Sequence, residues 1–351
     1  MLYRGATRLY STISRQFSKQ NRTSLKWVLS CSALASGSAG YYYYENYLGV
    51  ELSPDHFTKY KISYKKDIDS DHYLMELAPL KPQKKNLWSE LGSSKLWSVE
   101  IKQPQIMVVR NYTPLPLKRT GKDELQVLKD CDNAQGKLFF YMKQYKNGEV
   151  ARWLNRLPEG HVLEVRGPFV EYEFPELKDE IKRDRSFLWE GKNIQKTDAF
   201  RYQPFDISMY TAGTGVVTAL QLLLTESPFR GKIELFHACK SVKELGPLEP
   251  LLYTLQENGR VDLKLFESSK GTGIKNHLSE VLDMVPKPSP YFGEVQFKSI
   301  EKDFKPVLSL VCGPQEYITT IAGVKYDLAQ GPVGGLLAKK GWTSENVYKL
   351  S

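Results

Sequence analysis

The chain has 351 residues, 49 Lys and Arg against 40 Asp and Glu, and a formal net charge of +9. At 41% hydrophobic and 25% charged residues it is neither a disordered tail protein nor a multi-span membrane protein. Four cysteines without a CxxC, and five histidines with none at metal-ligand spacing, exclude a disulfide framework and a structural metal site.

The charge is unevenly placed. Residues 1–44 hold Arg4, Arg8, Arg15, Lys19, Arg22 and Lys26 and no acid, which is +6 of the +9. The rest of the chain is close to neutral, so no nucleic-acid partner is expected from the high pI. On a helical wheel the six basic residues of 1–26 fall within a wedge of about 60°, with Leu2, Ala6, Leu9, Ile13 and Phe17 opposite. A basic, acid-free, Ser-rich amphipathic start predicts a mitochondrial transit peptide over 1–26. Residues 27–44 carry no charge. As a helix they would span about 27 Å, just short of the ~30 Å hydrocarbon core. Trp27 and Tyr41–Tyr44 sit at the two ends as interfacial aromatics do. The reading is a single transmembrane anchor in the inner membrane, with the body facing the intermembrane space; a linker is the competing reading.

Short period-two segments follow: Tyr60–Tyr64, His72–Leu77, Trp97–Ile101, Ile106–Val109, Leu138–Met142 and Val162–Val165. Strands broken by Pro and Gly predict an antiparallel barrel or sandwich. Gly148–Leu154 predicts a short helix. A flavin dinucleotide needs a cation and bare amides for its pyrophosphate, and a hydroxyl or aromatic neighbour along the ring. Arg110, Tyr112 and Thr113 offer these from one strand end, and the amides at Gly148 offer the rest. From Glu171 to Arg201 both charges are dense, which reads as a solvated insertion or a docking surface.

Beyond residue 204 strands and helices alternate: strand Asp206–Thr211, helix Val216–Thr225, strand Lys232–Ala238, helix Leu251–Asn258, strand Val261–Phe266 and strand Val307–Cys312. That order predicts a doubly wound parallel sheet. The turn Gly213-Thr214-Gly215 brings backbone amides to a dinucleotide phosphate. Lys240 and Ser241 follow the second strand, where they can receive a 2′-phosphate, which tilts the choice towards NADPH; the alternative is an ordinary exposed lysine.

Arg110-Asn-Tyr-Thr-Pro114, Met142-Lys-Gln-Tyr145, Gly148–Ala151 and Arg166-Gly-Pro168 resemble, in that order, the FAD domain of the ferredoxin-reductase-like superfamily, on its NADH–cytochrome b5 reductase branch. Gly213-Thr-Gly215 with Cys312-Gly-Pro314 resembles that branch's nicotinamide site. The resemblance implies an α/β plus β-barrel fold. A six-stranded antiparallel FAD-binding barrel over 51–198 is followed by a doubly wound parallel-sheet NAD(P)-binding domain over 204–351. It implies FAD contacts at Arg110, Tyr112, Thr113, Lys143, Tyr145, Gly148, Val150 and Ala151. It implies nucleotide contacts at Gly213, Thr214, Gly215, Gly313 and Pro314. Thr113 would act beside the flavin and Cys312 near the hydride-donating carbon.

Three departures stand out. Ala151 replaces the family's Ser or Thr, removing a hydrogen bond of about 1 kcal/mol. Gly213–Thr218 lacks the helix-initiating Pro. Tyr317 stands where the family has Met. Within the superfamily the chain resembles a fungal mitochondrial group, the cytochrome c import factors, at Glu149–Leu154, Leu222–Gly231, Gly331–Leu337 and Asn346–Ser351. That likeness implies electrons passing from NADPH or NADH to haem, with haem lyase and apocytochrome c as partners. A cytochrome b5 reductase-like carrier and a non-catalytic flavin-containing assembly factor remain alternatives.

Overall fold

The computed structural model describes residues 36–38, 51–91, 95–121, 124–129, 132, 134–145, 148–174, 202–203, 206–225, 232–290, 296–297, 304–326 and 329–350. The chain divides into two units, 1–50 and 51–351. In the first, residues 36–38 form one exposed helical turn. The expected transit peptide over 1–26 lies outside the described residues, as does the expected anchor over 27–44 apart from that turn. So does the charged stretch 175–201. Among the described residues no helix is long and apolar enough to cross a membrane.

The second unit opens with strands whose alternate residues are buried, as a pleated ribbon with one dry face requires. In β1 (Thr58–Asp67), Thr58, Tyr60, Ile62 and Tyr64 are buried while Lys59 and Lys61 are exposed. With β2 (His72–Pro79), β3 (Lys95–Gln103), β4 (Val108–Tyr112), β7 (Leu138–Lys143) and β8 (Val162–Glu173) it makes a six-stranded antiparallel half-barrel, in the order β4-β3-β8-β1-β2-β7. A small hairpin, β5 (Leu117–Arg119) and β6 (Leu125–Val127), stands beside it. The core holds Tyr60, Ile62, Trp97, Val99, Phe140 and Val165. Between β2 and β3 runs α1 (Leu87–Leu91). Helix α2 (Glu149–Arg156) packs on the same core through Val150 and Leu154. Two strand ends differ from the sequence reading. β4 begins at Val108, because Ile106 and Met107 belong to the β3–β4 turn, Met107 at φ 56°. β8 runs on to Glu173.

The remainder is a parallel sheet, ordered β12-β11-β10-β14-β15. Its strands are β10 (Asp206–Ala212), β11 (Ile233–Cys239), β12 (Val261–Glu267), β14 (Pro306–Cys312) and β15 (Val347–Lys349); β9 (Tyr202–Gln203) pairs separately with β13 (Gln296–Phe297). Every residue of β10 is buried, because helices cover both faces. Ile207 and Met209 meet α3 (Val216–Leu224) and α4 (Leu248–Glu257). Tyr210 and Phe236 meet α5 (Leu278–Met284), α6 (Gln315–Ala322) and α7 (Gly335–Lys339) on the other face. The chain reverses its direction of sheet growth between β10 and β14. Ligands of doubly wound sheets bind at the carboxyl ends of the strands flanking such a reversal.

A buried amide helps to fasten the two halves, beside the Tyr141 hydroxyl, which donates to Glu244 O at 3.0 Å. Gln221 of α3 donates from Nε2 to Trp97 O at 3.0 Å and Pro114 O at 2.8 Å, and its Oε1 accepts from Trp97 N at 3.0 Å.

Candidate functional site

Where β4 and β7 face the ends of β10 and β14, a cleft of about 610 Å³ opens. Its barrel wall carries Arg110, Tyr112, Thr113, Lys143, Tyr145, Gly148, Val150 and Ala151; the opposite wall carries Thr214, Gly215, Cys312, Gly313 and Pro314. The strand ends named from sequence therefore converge on one space.

Arg110 is exposed, and one of its N–H groups donates to Val109 O at 2.9 Å. No acid pairs with it among the described residues. Tyr112 packs edge-on against Phe140, 6.5 Å between ring centroids. Burial pushes the Tyr112 hydroxyl well above its ordinary range, against a downward pull from Arg110, so it stays protonated. Helix α2 starts at Gly148 with an extended backbone, φ −92° and ψ 99°, and no side chain caps its first amides. Those amides and the positive end of the helix suit an anion. Lys143 lies 6.0 Å from the centre of the Tyr145 ring. The Tyr145 hydroxyl reaches Thr214 Oγ1 at 3.3 Å, joining the barrel wall to the glycine turn.

The second wall is made by close approach. Gly213 turns at φ +55°, a conformation open to glycine. A Cβ on Gly215 would lie 2.6 Å from Cys312 O, so the turn and the end of β14 can touch because this position has no side chain. In place of the missing Pro, Thr218 Oγ1 donates to Gly215 O at 2.8 Å and secures the first turn of α3. Cys312 is buried, and burial pushes its thiol up to about 11. At neutral pH it is a neutral wall and not a thiolate nucleophile.

A second cavity of about 500 Å³ adjoins the first, and Lys143 and Pro314 border both. Gly213, Lys240 and Tyr317 line it. Ser241 does not. Its hydroxyl accepts from Lys243 N at 3.4 Å and bonds to the Glu267 carboxyl, which Lys270 first and then the Val242 amide hold below the usual range. Of the pair expected at a 2′-phosphate, Lys240 alone faces the cavity.

Sequence reasoning missed Gln221 and Thr218; a lone amide within an apolar helical run was the available signal for the first. For FAD the residues fit: Arg110 and the bare start of α2 suit phosphates, while Tyr112, Thr113 and the neutral Cys312 suit a ring system.

The family model for the oxidoreductase FAD-binding domain matches residues 59–174, which is the half-barrel. The chain is 58% identical over 309 residues to the cytochrome c mitochondrial import factor of Saccharomyces cerevisiae, covering 86% of this chain and 84% of that one. It is 26% identical over 251 residues to NADH-cytochrome b5 reductase 2 of Meyerozyma guilliermondii, covering 69% and 68%. In fold it is similar to the CS and b5R domains of human Ncb5or in the NAD+ form, with TM-score 0.50, 17% identity, and 84% and 70% covered.

Proposed function

The chain belongs to the family of the cytochrome c mitochondrial import factor, with an oxidoreductase FAD-binding domain, and from that premise we propose that it draws electrons from NADPH or NADH and delivers them to haem iron for c-type cytochrome biogenesis. The observation that carries this reading is the single cleft in which Arg110, the bare start of α2 and the Gly215–Cys312 contact meet.

When bound, FAD supplies the exchange between a two-electron donor and a one-electron acceptor. Arg110 and the first amides of α2 hold its pyrophosphate, with Lys143, Tyr145, Gly148, Val150 and Ala151 around them. Tyr112 and Thr113 line the ring, and the Thr113 hydroxyl orients it. Gly213, Thr214, Gly215, Gly313 and Pro314 seat the nicotinamide nucleotide, and Lys240 receives the 2′-phosphate of NADPH. Cys312, kept protonated by burial, bounds the nicotinamide without adding a charge that would repel or trap the hydride. Reduced haem and free apocytochrome thiols are what haem lyase needs to attach haem. The expected setting follows: residues 1–26 address the chain to the mitochondrion, 27–44 anchor it in the inner membrane, and the body faces the intermembrane space.

The experiment is an absorption spectrum of the purified chain before and after NADPH or NADH, then with haemin added. A yellow protein bleached by one nucleotide and recoloured by haemin supports the reading. A flavin that neither nucleotide bleaches overturns the enzyme and leaves an assembly factor. Tyr317 favours testing that second reading, because its ring packs on the Gly313 position and lines the nucleotide cavity.

A further inference from the structure

The second cavity opens at the carboxyl end of β11, and Ala238, Phe266 and Ile274 give it an apolar wall. Two acids line it. Glu316 is exposed and already paired, 3.0 Å from Lys275 Nζ. Glu244 is different. It sits on the short helical turn Val242–Leu245 that follows β11. Its amide donates to Ser241 O at 3.1 Å, and its carbonyl accepts from the Tyr141 hydroxyl, so its backbone is fixed on two sides. The side chain is only 11% exposed, yet among the described residues no hydrogen-bond donor reaches its carboxylate. Buried polar groups are nearly always hydrogen-bonded, which leaves here an acceptor open to a donor that enters the cavity.

The flavin half backs this carboxylate. His72, at the start of β2, is 2% exposed, and its Nε2 lies 3.9 Å from Glu244 Oε2. The other ring nitrogen, Nδ1, is 2.9 and 3.0 Å from the two carboxylate oxygens of Asp69. The ring also lies flat on Tyr141, with centroids 5.7 Å apart and planes 2° apart. Held on its edge and its face, the imidazole stands as a fixed wall behind Glu244. The β1–β2 turn that carries Asp69 is itself seated on the nucleotide half. A Cβ on Gly246, at φ +53°, would lie 2.8 Å from Ile68 Cγ2. No motif of the family resemblance includes Glu244 or His72.

In a doubly wound sheet an acid near the end of the second strand accepts from the adenosine ribose hydroxyls, whereas a cation there accommodates a 2′-phosphate. After β11, the second strand of this sheet in chain order, the cavity holds one of each, Glu244 and Lys240. We propose that Glu244 is the donor-selecting residue of this cavity. Its carboxylate accepts from the free ribose hydroxyls of NADH and opposes the 2′-phosphate of NADPH, and His72 is the positioning residue that keeps it there. This rests on the reading that a nicotinamide nucleotide enters the cavity, and it turns that reading into a choice of donor. Glu244 outweighs Lys240 because the acid is enclosed and backed from the other half, while the lysine is exposed and screened by water.

The test is calorimetric titration of the full chain with NAD+ and with NADP+, which reads binding without turnover. The quantity compared is the ratio of the two dissociation constants, because general damage weakens both nucleotides alike. Glu244→Gln keeps the size and removes the charge, and it should move the ratio about tenfold towards NADP+, the worth of a charge-assisted hydrogen bond. His72→Phe keeps the stack on Tyr141 and removes the ring nitrogens. It should move the ratio about threefold the same way and add nothing in the Glu244→Gln background. If that variant does not fold, Asp69→Asn loosens the same ring and makes the same comparison. A ratio unmoved by Glu244→Gln, or moved towards NAD+, overturns the proposal, and full additivity of the two substitutions overturns the part given to His72. An unmoved ratio in a protein whose flavin NADH or NADPH bleaches strikes Glu244 and leaves the proposed function standing. A moved ratio in a protein whose flavin neither nucleotide bleaches upholds Glu244 and overturns the enzyme reading instead.

Discussion

The two walls of the cleft are built by different means. On the barrel side the chemistry is carried by what is left unsatisfied: an exposed Arg110 without an acid partner among the described residues, and a helix start that no side chain caps. On the nucleotide side it is carried by contact. Gly215 lies against Cys312, Thr218 secures the turn, and the whole of β10 behind them is buried. The first wall should tolerate changes of shape and fail on loss of charge. The second should do the reverse.

The largest expected effect comes from the residue that serves both walls. Gln221→Leu would leave Trp97 N, Trp97 O and Pro114 O without their buried partner. Buried groups stranded in this way cost ~1–3 kcal/mol each, so a loss of about 4 kcal/mol is expected. The check is urea unfolding, read as a lower midpoint at unchanged slope. A variant as stable as its parent would mean that the walls stand independently.

Acid should separate the walls next. His237 is fully buried, with Nδ1 2.9 Å from Thr211 Oγ1, and Thr211 is in register with Cys312 on β14. Burial pulls the imidazole down from 6.5 to about 4. Between those values the unfolded chain binds a proton that the folded chain refuses. Stability is therefore full above pH 6.5 and falls as pH drops through the window, by about 3 kcal/mol in all. Urea midpoints at pH 7 and pH 5, for the parent and His237→Gln, should converge in the variant.

A paired substitution tests the contrast directly. Gly215→Ala drives a Cβ to 2.6 Å from a backbone oxygen, and ~2 kcal/mol of stability should go with it. Arg110→Ala should leave the melting temperature nearly unmoved but weaken flavin retention by about thirtyfold, the loss of one charge-assisted hydrogen bond. Flavin absorbance per protein after dialysis measures the second, and thermal unfolding the first. If both variants lose stability and neither loses flavin, the division between the walls is wrong.

How much of this was legible follows the same division. The alternation Thr58–Tyr64 announces a half-buried strand, and Arg110, Gly148 and the Gly213–Gly215 turn each announce their chemistry locally. Gln221 and Glu244 do not, because their partners lie 124 and 103 residues away and neither residue type is distinctive alone. Ile106 and Met107 looked like strand because they are apolar, yet the β3–β4 register leaves them in the turn. Ser241 looked free to bind phosphate, yet the nearby backbone and Glu267 take its hydroxyl. Helices α6 and α7, at eight and five residues, are too short for periodicity to stand out.

The smallest effect sharpens the comparison most cleanly. Ala151 lies in the first turn of α2 and lines the cleft, where the family pattern has a hydroxyl. If the barrel wall works through unsatisfied donors, Ala151→Ser adds one more and should tighten flavin binding by about 1 kcal/mol, or about fivefold. The added oxygen is small and the site is half-buried, so the melting temperature of the flavin-free protein should not move. Titration of flavin-free protein with FAD, followed by the quenching of flavin fluorescence, measures the gain. Weaker binding in the serine variant would mean that the start of α2 is held by packing, as Gly215 is, and the two walls would then be built by the same means.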